Sequence, residues 1–227
     1  MDLARLGIGI KGIIDGKNGA VVIKCRDERD ADKLKKSLEQ KIGKDYAAST
    51  PVKKNPCIKI INLDIQYSEE VLLERLKQQN SHIFFENSQI KVVVIKKMVK
   101  FYMAIVECDW KTFGRYVNVG DGRLYIDTRA CRSFEYVRVM RCFKCHGYRH
   151  TANHCTKEKV CGKCSSKDHE TNECDGHVKK CINCKLTNDK HKMSLDLEHS
   201  VFDLKCPTYR HLLNNERSKI CYTQSSK

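Results

Sequence analysis

Cys142, Cys145, His150 and Cys155 follow the pattern C-x2-C-x4-H-x4-C, and Cys161, Cys164, His169 and Cys174 repeat it without a gap. A Cys-x2-Cys pair bends the chain so that both sulfurs face one point, and the His and last Cys return after short loops to complete a tetrahedron. Three thiolates and one imidazole suit a borderline-soft, redox-inert ion, which in a cell means zinc. Reduced structural cysteines would not need histidines in register with them. Cys181 and Cys184 open a third pair, followed by His191, His199 and then Cys206, which precedes Pro207. With His191 the return to Cys206 is long, and with His199 it is short. Each doubling of loop length costs only about 0.6 kcal/mol, so spacing leaves both histidines open, with a lean towards the shorter return. Three zinc ions per chain are expected.

A zinc held by three Cys and one His has no open position for water, and the chain carries neither a deaminase signature nor a nucleophile paired with a base. No enzymatic activity is expected. Lys and Arg number 43 against 28 Asp and Glu, a formal charge of +15, which points to a polyanionic partner and first to nucleic acid. The 41% hydrophobic share includes 14 Cys, and without them it falls to roughly 35%, so part of this chain is held by something other than a large core. No run approaches the roughly 18 apolar residues that span a bilayer, and the N-terminal residues lack the grammar of a signal peptide. Clustered cysteines without these features fit a cytoplasmic protein, with the nucleus open as well, and no membrane partner.

Single-stranded RNA or DNA is the expected partner. Phe143 and Tyr148 can stack on exposed bases, while Lys144, Arg149, Lys157, Lys159, Lys163, Lys179 and Lys180 can neutralise phosphates in a sequence-tolerant way. The second knuckle has Gly162 and Ser165 where a ring could sit, so the first is expected to dominate. The rival reading is a zinc-knuckle module that holds a protein partner.

The run from Cys142 to Ala152, a second knuckle, and a Cys-x2-Cys with a distant His-x6-Cys-Pro together resemble the gag-like protein, the first open reading frame product, of jockey-like non-LTR retrotransposons of arthropods. The resemblance is most specific from Tyr136 to Tyr209. It implies an RRM-like region before tandem CCHC knuckles, packaging of element RNA into a ribonucleoprotein particle, and His199 as the third site's histidine. Arg149 and Asp168 stand where that family often has glycine, just before the ligand histidine.

The elements that must carry these knuckles are read from the first 140 residues. Ile8 to Ile14 and Ala20 to Cys25, joined by Gly16-Lys17-Asn18-Gly19, predict a hairpin; Ala31, Leu34, Leu38 and Ile42 predict an amphipathic helix over Asp27 to Ile42. With an extended stretch to Thr50 this makes a partial ββαβ unit over 1–50. A complete βαββαβ unit follows over 57–135. Its strands are Cys57 to Leu63, Ile90 to Lys97, Tyr102 to Cys108 and Leu124 to Thr128. A helix capped by Ser68 buries Val71, Leu72, Leu73 and Leu76, and a second starts at Asp109-Trp110. The expected class is therefore α+β, a ferredoxin-like, RRM-like unit preceded by a partial one. Small zinc-stapled knuckles follow at 142–155, 161–174 and 181–206, with a C-terminal tail over 207–227. Tyr102 is the one ring expected on the central sheet surface, since Lys59, Ala104 and Glu107 stand where others would be needed. A scaffold or self-association role is expected of this unit, and Trp110, Phe84 and Phe85 are expected in its core.

Overall fold

The computed structural model describes residues 7–16, 19–41, 43 and 46–223, which fall into two compact units, Met1–Val52 and Lys53–Lys227. The predicted positions Lys17, Asn18 and Ile42 lie outside the described residues. In the first unit β1 (Ile10–Asp15) and β2 (Val21–Cys25) form an antiparallel hairpin, followed by α1 (Glu28–Glu39). Asp27 caps the helix by accepting from the Asp30 N–H, which satisfies one of the orphan donors of its first turn. Asp30 is 2% exposed, and its carboxylate accepts from the Gly9 N–H and pairs with Arg26. A buried charge persists only where it is compensated in this way. The extended stretch expected up to Thr50 carries no strand pairing.

The second unit is built on a five-stranded sheet in the order β4-β5-β3-β7-β6, every neighbouring pair antiparallel. Its elements are β3 (Cys57–Leu63), α2 (Glu69–Gln79), β4 (Ile90–Lys97), β5 (Tyr102–Cys108), α3 (Trp110–Val119), β6 (Arg123–Ile126) and β7 (Arg129–Glu135). Ile58, Ile60, Val92, Ala104, Val106 and Cys131 face Leu72, Leu76, Phe84 and Phe113 in one core. Ser68 and Asp109 cap α2 and α3 as expected from their residue type. Phe84 is buried in the core. Phe85 is half-buried with the Arg115 guanidinium 4.4 Å from its ring centroid, and Trp110 sits half-exposed at the helix start, outside the core cluster.

Two sequence expectations are corrected here. The strand beside β3 is β7, over 129–135, whereas the segment near Leu124 pairs only with β7 across the two-residue turn Asp127-Thr128, where Asp127 has φ +52°. The outer side of β6 is satisfied by side chains: buried Asn80 exchanges two hydrogen bonds with the backbone of Tyr125, and Gln79 does the same with Asp127. A turn of Asp-Thr in place of Asn-Gly is a weak hairpin signal, so the doubled strand is hard to read beforehand. Tyr102 is not on the free sheet surface either. Side chains alternate along a strand, and Ala104, Val106 and Cys108 are all 0% exposed, which puts Tyr102 on the core side, packed against the cluster. The outward rings are Tyr125 on the edge strand β6, 46% exposed, and Phe134, 44% exposed and paired in register with Lys59, whose ammonium lies 5.7 Å from the Phe134 ring centroid.

Of the expected tail, residues 207–223 are described and pack back on the unit. After α5 (Pro207–Arg217) the chain returns to the start of this unit, where Ile220 forms a parallel bridge with Lys54. The Tyr222 ring lies 5.5 Å from that of Phe113, tilted by 51°, and its hydroxyl donates to Glu135, which Arg217 also pairs. Tyr222→Ala should therefore destabilise the unit by roughly 1–3 kcal/mol, a core-edge loss, measured by urea denaturation of the zinc-loaded protein. Unchanged stability would mean that the return contributes nothing.

Candidate metal centres

The first two clusters use one local design. Cys142 N–H donates to the Gly147 carbonyl and Cys161 N–H to the Ser166 carbonyl, each at 2.7 Å, which closes a tight turn around the Cys-x2-Cys pair. Within the turn the Lys144 and Gly147 N–H groups point at Cys142 and Cys145 sulfurs, and Lys163 N–H at Cys161. Such contacts stabilise thiolates before any metal arrives. The residue after the second Cys takes a left-handed backbone in both, His146 at φ +54° and Ser165 at +66°. Arg149 also has φ +70°, a conformation natural to glycine, whereas Asp168 does not.

The ligand atoms of Cys142, Cys145, His150 and Cys155 lie within 4.8 Å of one another, as do those of Cys161, Cys164, His169 and Cys174. His150 Nε2 is 3.3 Å from Cys145 Sγ, and His169 Nε2 is 3.3 Å from Cys164 Sγ. His150 Nδ1 lies 3.1 Å from the Tyr148 carbonyl, a hydrogen bond that fixes the tautomer leaving Nε2 free for metal.

The third cluster is Cys181, Cys184, His199 and Cys206, all buried. His199 Nε2 stands 3.4 Å from Cys184 Sγ, and its Nδ1 faces Asp196 at 3.7 Å. His191 is instead the exposed last residue of α4 (Ile182–His191). The stretch after Cys184 is thus helical as far as His191 and irregular from there to His199. Cys181 is the N-cap of α4 and Cys206 the N-cap of α5, with Pro207 in the first turn. Two helix N-termini converge on one ligand cluster, and their dipoles favour thiolates there.

The donor geometry fits zinc. A tetrahedral ion with sulfur at about 2.3 Å requires sulfurs about 3.8 Å apart. Cys181 and Cys206 sulfurs are 3.8 Å apart, and those of Cys184 and Cys206 are 3.4 Å apart. All 14 cysteines are free thiols, so no disulfide competes for these sulfurs. Crowding splits their acidities. Burial together with neighbouring Cys155 and Cys142 pushes Cys145 up to about 11, and the neighbouring Cys181 thiol together with burial pushes Cys206 up to about 12. Cys155 and Cys161 are brought down to about 6, their burial being outweighed by hydrogen bonds from the backbone and their partner ligands. Three like charges cannot share such a space unless a cation sits among them.

The clusters are fused into one body rather than strung as beads. His146, 4% exposed and not a ligand, accepts at its carbonyl from Asn183, faces Thr171 at 3.5 Å and meets the Phe202 ring edge-on at 5.5 Å. Val201 N–H donates to the Gly162 carbonyl, and the Arg141 guanidinium donates to the Val201 carbonyl while lying 4.7 Å from the Phe202 centroid. A Cβ on Gly162 would stand 2.6 Å from the Phe202 ring. The absence of a ring in the second knuckle is therefore structural, because Phe202 of the third module fills that place.

The expected nucleic-acid residues separate into groups. Phe143 is 79% exposed, but the Tyr148 hydroxyl is buried without a partner among the described residues, and burial pushes its pKa well above the ordinary phenol value. Lys144 and Lys163 donate to the Cys155 and Cys174 carbonyls, and Lys159 pairs with Glu170. Arg149, Lys157, Lys179 and Lys180 are exposed with no side-chain partner among the described residues. Sequence reasoning missed His146, Gly162 and Phe202, whose meeting no local motif signals. No protein-family model, no curated protein and no solved structure matches this chain, so what can be said of its sites is the geometry itself: three Cys3His clusters, each able to hold one zinc ion.

His199→Ala should lower the zinc count from three to two by native mass spectrometry, and His191→Ala should leave it at three; the reverse pattern would place the wrong histidine in the site. Because the ligands bind as thiolates and neutral imidazole, acid must weaken all three sites, and zinc should leave as pH falls from 7 towards 5. Gly162→Ala should retain three ions yet lose roughly 1–3 kcal/mol of stability through overpacking against Phe202, as read by chemical denaturation.

Proposed function

We propose that this chain is a zinc-dependent, largely sequence-tolerant binder of single-stranded RNA or DNA, with the fused knuckles as the binding body. The observation that carries the reading is the presence in one compact unit of an outward ring, Phe143, and four exposed cations with no side-chain partner among the described residues, Arg149, Lys157, Lys179 and Lys180. An exposed aromatic offers a π-face to any base, and the cations neutralise backbone phosphates, so affinity needs no sequence. The closed Cys3His clusters serve here as structure, each holding the turns that display these side chains.

The strand order β4-β5-β3-β7 is that of a ferredoxin-like βαββαβ unit with its last strand doubled into a hairpin, which supports an RRM-like reading of residues 57–135. Its free face offers Phe134, already beneath Lys59, and Tyr125 on the edge strand β6, but no ring on β3 or β5, so we assign it a scaffold role and not a stacking platform. Together with the knuckle spacing this supports a gag-like protein of a non-LTR retrotransposon, packaging element RNA. Crosslinking in cells followed by sequencing of the bound strands tests it, with enrichment of one element's own transcript as the expected result.

Binding should weaken with salt, each phosphate contact contributing about −0.7 to the log-log slope for a single strand. Lys179→Ala should flatten that slope by about this amount. Lys163→Ala should do less, because its ammonium is held by the Cys174 carbonyl. Phe143→Ala should leave the slope intact and cost about 1–3 kcal/mol of binding. A salt-independent affinity measured by fluorescence anisotropy would point to a protein partner.

A further inference from the structure

A cleft of about 260 Å³ opens where the linker after β7, the first cluster and the third module meet. Tyr136, Phe143, Tyr148, Phe202 and Tyr209 line it together with Arg141. Its size lies below the range of about 300–1,000 Å³ usual for small-molecule sites, so it suits one ring system rather than a larger ligand. Two polar atoms of its lining side chains, Arg141 Nε and the Tyr148 hydroxyl, are buried without a hydrogen-bond partner among the described residues. Arg141 spends another nitrogen on the Val201 carbonyl and holds its plane against Phe202, so the guanidinium is fixed in orientation. Buried donors left unpaired are costly, and a fold keeps them where a ligand completes them. The carboxylate among the lining residues, Asp203, is engaged by the Lys205 N–H.

We propose that this cleft seats one unstacked base of a bound single strand and prefers keto bases, guanine and uracil, over adenine. The inference rests on the single-strand reading above and adds a point of base selectivity to it. Single-strand recognition splays bases out, packs them on aromatic or guanidinium planes and reads their edges by hydrogen bonds. Guanine and uracil present carbonyl acceptors to the Arg141 and Tyr148 donors, whereas adenine presents an amino donor at the corresponding edge. The aromatic walls supply the stacking surface, and the neighbouring free cation Arg149 favours the phosphate that must accompany the base.

The test uses the full zinc-loaded chain with oligo(U) and oligo(A) of equal length, compared by fluorescence anisotropy for the wild type and for Tyr148→Phe. This substitution removes only the orphan hydroxyl, so the protein should fold with three zinc ions and undiminished stability. The wild type should favour oligo(U), and Tyr148→Phe should lower oligo(U) affinity about two- to ten-fold while leaving oligo(A) affinity unchanged. Adenine runs stack on themselves, so the change on substitution carries the decision rather than the wild-type preference alone. Equal wild-type affinities, or a preference that survives Tyr148→Phe, would overturn the cleft while leaving the sequence-tolerant reading in place. Failure to bind either strand would overturn both.

Discussion

Four soft ligands brought within 4.8 Å of one another, three times over, stand in for the core that the C-terminal third of this chain lacks. Among the described residues from 141 to 219, Val201 is the only buried hydrophobic side chain that is not a cysteine. Burying one valine contributes about 1.5–3 kcal/mol, whereas a structural zinc in a finger peptide contributes about 10–16 kcal/mol. Metal coordination therefore decides whether this region is folded. The turns, the short 3-10 helix at Ala152–His154 and the two helix N-termini at the third site follow from holding ligands in place.

Given three ions, the next constraint is how the modules meet. Their junction depends on a residue with no side chain and two that are not ligands. Gly162 leaves the space that Phe202 fills, and His146 lies between that ring and the Asn183 amide. Each contact is small alone, yet they share atoms. A displacement at Gly162 moves Phe202, then Arg141, then the turn that carries Cys142. The modules are accordingly packed on one another rather than strung as separate beads.

The metal chemistry was legible because ligand spacing is local: a Cys-x2-Cys with a His in register is a geometric statement that the sequence makes within fourteen residues. The third site was legible only in part. Spacing could not choose between His191 and His199, since the choice depends on α4 continuing to His191 and carrying that residue away from the sulfurs. The apolar run of β3 and the β-branched and aromatic residues of β4 and β5 make those strands legible. The doubled edge at β6 and β7 was missed because its outer hydrogen bonds go to Asn80 and Gln79, forty-five or more residues away in sequence. Tyr102 was misplaced through strand parity, a one-residue matter that inverts the face of a side chain. The Phe202–Gly162 contact has no sequence signature, since it joins two modules each of which looks complete.

The knuckle body is tied to the sheet at both of its ends. It leaves from β7, where Tyr136 N–H donates to the Cys57 carbonyl, and it returns through α5 to Glu135, Lys54 and Phe113. Both ties reach residues at one end of the β3–β7 pair, so the body is held by two neighbouring anchors rather than one flexible linker. A tethered array of independent knuckles would gain avidity from linker length alone and accept a strand in many registers. A body anchored twice loses that freedom and gains a defined path. Phe143, the exposed cations and the aromatic cleft at the linker all belong to this one compact unit. Under the single-strand reading, the unit over 57–135 then contributes to recognition without touching a base, by limiting the orientations in which the zinc modules can present themselves.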